Sequence, residues 1–200
     1  MKKIILMILV AMATVSVSAQ KFGVKAGANI SSYYGSDAKD LDSRIGFQVG
    51  GLYELPVSGD FFIQPEALLT LNGAAKSVTG ASFSINPLYL QVPVKALYKL
   101  AAGPGKVTIA AGPYLAIGIA GKETYKIDGQ SESSMSIFTK ENGASEAILN
   151  SFDLGLSSAV GYELSSGLFF NLESTLGFLN VSKDSNMKNS SVSLVAGFKF

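Results

Sequence analysis

Eight stretches of this sequence alternate apolar and polar side chains with a period of two, and in all eight every charge falls on the polar side. Residues 88–99, LYLQVPVKALYK, set the pattern. Leu88, Leu90, Val92, Val94, Ala96 and Tyr98 share one face, while Tyr89, Gln91, Pro93, Lys95, Leu97 and Lys99 share the other, as in a strand lying between an apolar and a polar medium. The same reading gives strands at 21–30, 44–54, 61–72, 107–119, 152–164, 168–179 and 191–200, near the 9 to 11 residues with which a tilted strand crosses a bilayer. The connections between them alternate long and short. That asymmetry predicts an all-β fold, an eight-stranded antiparallel up-and-down transmembrane β-barrel with its short turns on the periplasmic side.

Alternation alone does not say which face points outward, and a soluble, lipocalin-like binding barrel with an apolar interior is the competing fold. The charges Lys21, Lys25, Arg44, Glu54, Glu66, Lys95, Lys99, Asp153, Glu163, Glu173 and Lys199 all have polar parity. A lipid-facing Lys or Arg costs roughly 2–4 kcal/mol at mid-bilayer, so a lipid face has to be this clean, but a soluble core is clean too. More discriminating are the companions of those charges, which are mostly small: Gly23, Gly27, Gly46, Gly50, Gly112, Gly155, Ser157, Gly161 and Gly197 among them. Small residues mixed with long charged ones suit a narrow, filled lumen. In addition, Phe22, Tyr53, Phe61, Tyr98, Tyr162, Phe170 and Phe200 have apolar parity and gather at the short-turn ends, where an interfacial aromatic girdle belongs. The apolar face is therefore expected to meet lipid.

The ends of the chain agree with an envelope protein. MKKIILMILVAMATVSVSAQ joins two lysines to an apolar run of about 14 residues, short of the roughly 18 that a helical anchor needs, and closes on Val17-Ser18-Ala19. This is the pattern of a cleaved export signal, so 1–19 is expected to be a signal peptide and 20–200 the barrel domain. Gln20 in place of Cys argues against a lipid anchor. Without the two leader lysines the formal charge of +1 becomes −1, which offers nucleic acid no electrostatic footprint.

Three interruptions break the pattern. Pro65, Pro93 and Pro113 fall inside strands, where each removes a ladder donor, and bulges are expected there. Leu52, Phe62, Tyr89, Leu97, Phe169 and Val195 are apolar on the polar side and are expected to pack near the barrel ends. The stretch 120–151 is the longest connection, with a hairpin extension around Asp128-Gly129 or a helical turn near 145–149 as its local options.

With these residues in view the chain resembles a known family. YLQVPVKALYK at 89–99, AAGPYLAIGI at 110–119, FDLGLSSAVGYEL at 152–164 and the terminal VAGFKF look like the PorT-like outer-membrane β-barrel family, whose members pair a Y-L-x-I/V-P strand with a G-P-Y strand after the next turn. The resemblance spans essentially the whole mature chain. It implies a Gram-negative outer-membrane location and no enzyme activity. The terminal Phe200 also looks like the signal by which barrel insertion machinery receives such strands. The secretion role of the family's namesake is not implied, because no matched residue is specific to secretion.

The chemistry visible in the sequence is sparse. The chain has no His and no Cys, which removes the commonest general base, the commonest transition-metal ligand and all thiolate chemistry. Glu66 with Glu173 and Lys95 is the remaining catalytic arrangement, but nearly balanced charges in a narrow lumen read as an ion-pair network, here Lys25, Arg44, Glu54, Glu66, Lys95, Asp153, Glu163, Glu173 and Lys199. Neither Asp37, Asp40 and Asp42 nor the acidic residues of 123–146 have calcium-loop spacing, and they read as solvated loop charge. No cofactor, metal or catalytic residue is expected. The expected partners are outer-membrane lipid, the insertion machinery and an extracellular or envelope protein met by loop residues such as Tyr125 and Phe138, with the barrel itself a monomer. A narrow transport pore is the alternative function, although eight strands usually leave no water path.

Overall fold

The computed structural model describes residues 21–39, 41–78, 81–127, 133–138, 149–182 and 185–200; the expected signal peptide lies outside them. The elements are β1 (Lys21–Tyr34), a 3-10 turn (Ser36–Ala38), β2 (Asp42–Ser58), β3 (Phe61–Leu71), β4 (Ala74–Val78), β5 (Ala81–Ala102), β6 (Gly105–Ile127), β7 (Ser133–Ser136), β8 (Phe152–Leu164), β9 (Leu168–Gly177) and β10 (Lys188–Lys199). Eight principal strands pair antiparallel around a ring, and β1 closes it on β10 from Gly23 opposite Lys199 to Tyr34 opposite Lys188. Closure leaves the ring without an edge, so the backbone is hydrogen-bonded within the sheet, as hydrocarbon requires.

The apolar half of each strand faces outward. Along 88–99, Leu90, Val92, Val94 and Tyr98 are exposed, while Tyr89, Gln91, Pro93, Lys95, Leu97 and Lys99 are buried. On β10 Val192, Leu194 and Phe198 are exposed, as is Phe200 just beyond it, and on β6 Ile109, Leu115 and Ile117. Lys25, Glu54, Glu66, Lys95, Lys99, Glu163, Glu173 and Lys199 are all buried. A soluble barrel has the opposite arrangement, so the lipocalin-like alternative fails on the direction of the side chains.

Three short turns join β2 to β3, β5 to β6 and β8 to β9, and each carries a glycine at positive φ: Gly59 at 55°, Gly103 at 58° and Gly167 at 92°. These left-handed positions are where a residue without Cβ closes a tight turn at least cost. At the other end the strands run past the expected lipid band. β5 has 22 residues and β6 has 23, so 73–86, expected as a polar connection, is instead a hairpin: β4 pairs with β5 from Ala74 opposite Ile85 to Val78 opposite Ala81. The stretch after 120 also begins as strand, and β7 pairs with β6 from Lys122 opposite Ser136 to Tyr125 opposite Ser133. The turn of that hairpin and most of 145–149 lie outside the described residues.

The expected bulges at the prolines are absent. Each proline sits in a two-pair gap on one side only: Pro65 between β2 and β3, Pro93 between β3 and β5, Pro113 between β5 and β6, and the register on both sides of each gap is unchanged. A proline withholds one donor from one neighbour, and with both flanking ladders intact the strand has no reason to slip. Register does shift at Pro56/Ser58 and at Leu88/Tyr89. At the second shift Leu88 faces Ala120 and Tyr89 faces Gly118, so Ile119 is the extra residue and β6 changes parity above it.

Candidate functional site

The lumen is filled from the short-turn end upward. The first layer holds Lys99 and Lys199 against Glu54 and Glu163. Lys99 Nζ is 2.7 Å from Glu54 Oε1 and 2.7 Å from Glu163 Oε2, while Lys199 Nζ is 2.6 Å from Glu54 Oε2 and 2.7 Å from Glu163 Oε2. Lys21, half exposed at the mouth, adds a contact of 3.6 Å to Glu163. The apolar intruders find their role here, since Lys99 lies 4.8 Å from the centroid of the Phe62 ring and Lys199 lies 5.2 Å from that of Phe169, each on a face that attracts cations. Alongside, a cavity of about 10 Å³ lined by Gln64, Thr108, Asn171 and Lys199 is no wider than one water molecule.

A second layer repeats the stoichiometry. Lys25 Nζ sits 2.6 Å from Glu66 Oε2 and 2.7 Å from Glu173 Oε1, and Lys95 Nζ sits 2.9 Å from Glu66 Oε1. Gln48 donates to Glu173 at 3.0 Å and Gln64 to Glu66 at 2.7 Å. Each layer is thus two cations against two anions and carries no net charge, the condition under which buried ions are tolerated. Arg44, expected in this network, lies outside both layers: it is half-buried near the far end of β2, beside Gly73. Its position opposite Ser31 at the start of the β2 ladder places it above the Glu66 layer, toward the extracellular end.

Nearer the extracellular end the chemistry changes. Asp153 is buried, and its carboxylate accepts from Tyr114 Oη at 2.8 Å, Asn189 Nδ2 at 2.9 Å and the Leu154 amide at 2.9 Å. Asp153 therefore belongs to a third, tyrosine-rich layer and not to the ion-pair network expected for it. Above it the mouth is closed by an apolar plug in which Tyr33, Ala74, Ile85, Ile137, Leu149 and Val181 are buried. Backbone bonds knit the plug: Leu149 N to Ile137 O at 3.1 Å, Asn150 N to Val181 O at 2.7 Å and Val181 N to Met187 O at 2.8 Å.

The two expected loop contacts separate. Tyr125 is exposed, packs on Phe83 with ring centroids 4.9 Å apart, and donates to Glu123 at 2.6 Å. That bond, with a smaller contribution from burial, pushes its phenol up to about 12. Phe138 instead turns inward onto Tyr89, edge to face at 5.6 Å, and joins the plug, so it is a packing residue and not a surface contact. Glu123, expected as solvated charge, is buried because the extra residue at Ile119 reverses the facing of β6. Asp37 does stay in solvent, and the Asn186 amide at 2.8 Å and the Ser36 hydroxyl at 2.8 Å hold its carboxyl below the usual range. Beside these loops an open groove of about 410 Å³ lies between Asn150, Ser151 and Phe152 on one side and Leu179, Asn180 and Ser182 on the other.

At the opposite end the girdle forms a belt. Phe22 faces Tyr53, Phe61 faces Tyr98 and Tyr162 faces Phe170 in the ladders. Phe22 stacks on Phe200 across the closure, with centroids 6.2 Å apart and planes 14° apart. The outward residues run from this belt through aliphatic side chains to a polar upper layer at Ser43, Asn86, Lys122 and Ser190. No helix among the described residues is long and apolar enough to cross a membrane, and the crossing is made by strands.

An edgeless sheet, lipid-facing outside and charge-filled within, defines an integral transmembrane β-barrel. The chain belongs to the family described as outer membrane protein beta-barrel domain, whose model matches residues 18–183, and the protein is an integral component of the outer membrane. Two structures of Ail, the attachment invasion locus protein of Yersinia pestis, share the fold. One, with a heparin analogue bound, has 15% identity and a TM-score of 0.50 over 90% of this chain and 99% of that one; the other has 14% identity and a TM-score of 0.51 over 90% and 98%. Neisserial surface protein A has 16% identity and a TM-score of 0.48 over 90% and 97%. Among curated proteins no sequence match is found.

Proposed function

We propose that this protein is a closed, non-catalytic barrel whose role, binding or structural, is carried by its extracellular end. The observation that supports this most strongly is that three successive layers of buried polar and charged side chains occupy the described lumen while β4 to β7 continue beyond the lipid band. Lys95, Glu66 and Glu173 have side chains that are at most 4% exposed and engage one another, so a substrate would have to break a salt-bridge cluster to meet them. The groove beside Phe152 and Leu179 and the exposed Tyr125 offer a partner both apolar and polar contacts.

The finer reading is a PorT-like member of the family in a Gram-negative envelope, exported by a signal peptide cleaved after Ala19 and received by the insertion machinery through β10 and Phe200. It acts as a monomer in outer-membrane lipid, binds an extracellular or envelope protein and makes no use of nucleic acid. Crosslinking in intact outer membranes tests this reading: the wild type yields a defined adduct that is lost when 120–151 is shortened, and an adduct unchanged by that deletion would contradict it. Planar-bilayer recording tests closure, with no stable conductance expected. Reproducible channel openings would favour the transport pore instead.

A further inference from the structure

Asp153 is a lumenal carboxylate with no lysine or arginine partner among the described residues. Glu54, Glu66, Glu163 and Glu173 each lie 2.6 to 2.7 Å from a lysine, whereas Asp153, only 5% exposed, is surrounded by Tyr114, Asn189 and its own strand's Leu154 amide, with no cation among the described residues acting on it. Hydrogen bonds to neutral donors solvate a carboxylate without neutralising it, and a single buried charge of this kind is costly.

A second observation points into the same space. The hydroxyl of Tyr33, a residue 5% exposed, has no hydrogen-bond partner among the described residues, and Tyr33 lies opposite Asn189, the donor to Asp153, in the β1–β10 ladder. Tyr89 packs with Tyr114 in one buried cluster and is backed by the Phe138 ring. Phenol oxygens and a carboxylate oxygen are hard donors, and the adjoining ring faces attract cations. One formal negative charge matches a monovalent ion, since calcium takes six to eight oxygens, several of them carboxylate, and the softer transition metals favour His or Cys.

We propose that Asp153, Tyr33, Tyr89 and Tyr114 form a site for a small, dehydrated monovalent cation beneath the extracellular plug. The ion completes the pattern of the lower layers, in which every buried anion has its counter-charge. Heat unfolding of the refolded protein in sodium, potassium and rubidium chloride, compared with tetramethylammonium chloride at equal ionic strength, reads the site out. For the wild type the midpoint rises by about 3 to 5 °C in the preferred alkali salt at tenfold excess over its Kd. Asp153→Asn abolishes the difference and Tyr33→Phe reduces it. Equal midpoints in all salts, or a salt preference retained by Asp153→Asn, would overturn the proposal. Anomalous scattering from wild-type crystals grown with rubidium decides independently of any variant: a peak beside Asp153 is expected, and peaks confined to the protein surface, an adventitious ion only, would refute it.

Discussion

Lys25 Nζ lies 2.6 Å from Glu66 Oε2, a contact across the lumen between β1 and β3 with both side chains fully buried. Because its layer is electrically neutral, removing one member is worse than removing a matched pair. Lys25→Met leaves Glu66 and Glu173 with one lysine between them and is expected to cost about 3–5 kcal/mol. Lys25→Met with Glu173→Gln restores neutrality and recovers part of that loss. Equilibrium urea unfolding in lipid vesicles measures both, and a double variant no more stable than the single one would argue against charge balance as the organising rule.

The outward face makes an independent prediction. Leu194, 71% exposed, lies midway between the polar Ser190 and the girdle residue Phe200, so Leu194→Arg is expected to destabilise the inserted barrel by about 2–4 kcal/mol. Ser190→Arg, in the upper polar layer, is expected to cost about 0–1 kcal/mol. The same unfolding experiment separates the two, and similar costs would mean that Leu194 does not face hydrocarbon.

Much of this arrangement was legible in the sequence for one physical reason: a strand in lipid must keep a strict period of two, and parity is readable without coordinates. The eight strands, the short turns, the girdle and the lumenal lysines and glutamates all follow from it. What parity does not carry is the count above the band. One extra residue at Ile119 turns Glu123 inward, and the polar composition of 73–86 conceals a hairpin because strands in water are not obliged to be apolar on either face. The inward packing of Phe138 is hidden for the same reason, since a loop aromatic reads alike whether it meets solvent or folds back as a plug. The prolines misled in another way, as an intact neighbouring ladder on each side makes a lost donor a local defect.

The tie between the first and last extracellular loops should depend on pH. The Asn186 amide bond, with the Ser36 hydroxyl, holds the Asp37 carboxyl below its ordinary range in the folded protein. A lowered carboxyl contributes its stabilisation above the unfolded value and loses it as pH falls through the folded one. The Asn186 amide proton shift is therefore expected to stay constant while pH falls through the ordinary carboxylate range and to move only at lower pH, whereas Asp37→Ala displaces it at every pH. Movement between pH 5 and 7 would contradict the assignment.

The direction of the two faces is open to one decisive reading, because the chain contains no tryptophan. Phe169 and Phe170 are neighbours on β9, one 2% and the other 52% exposed, so Phe169→Trp and Phe170→Trp place a fluorophore on opposite sides of the wall at one depth. Refolded into vesicles of phospholipid brominated near the headgroup end of the acyl chains, the Phe170→Trp protein should be strongly quenched and the Phe169→Trp protein left bright. Equal quenching of the two, or quenching of Phe169→Trp alone, would contradict a barrel that turns its apolar face to lipid.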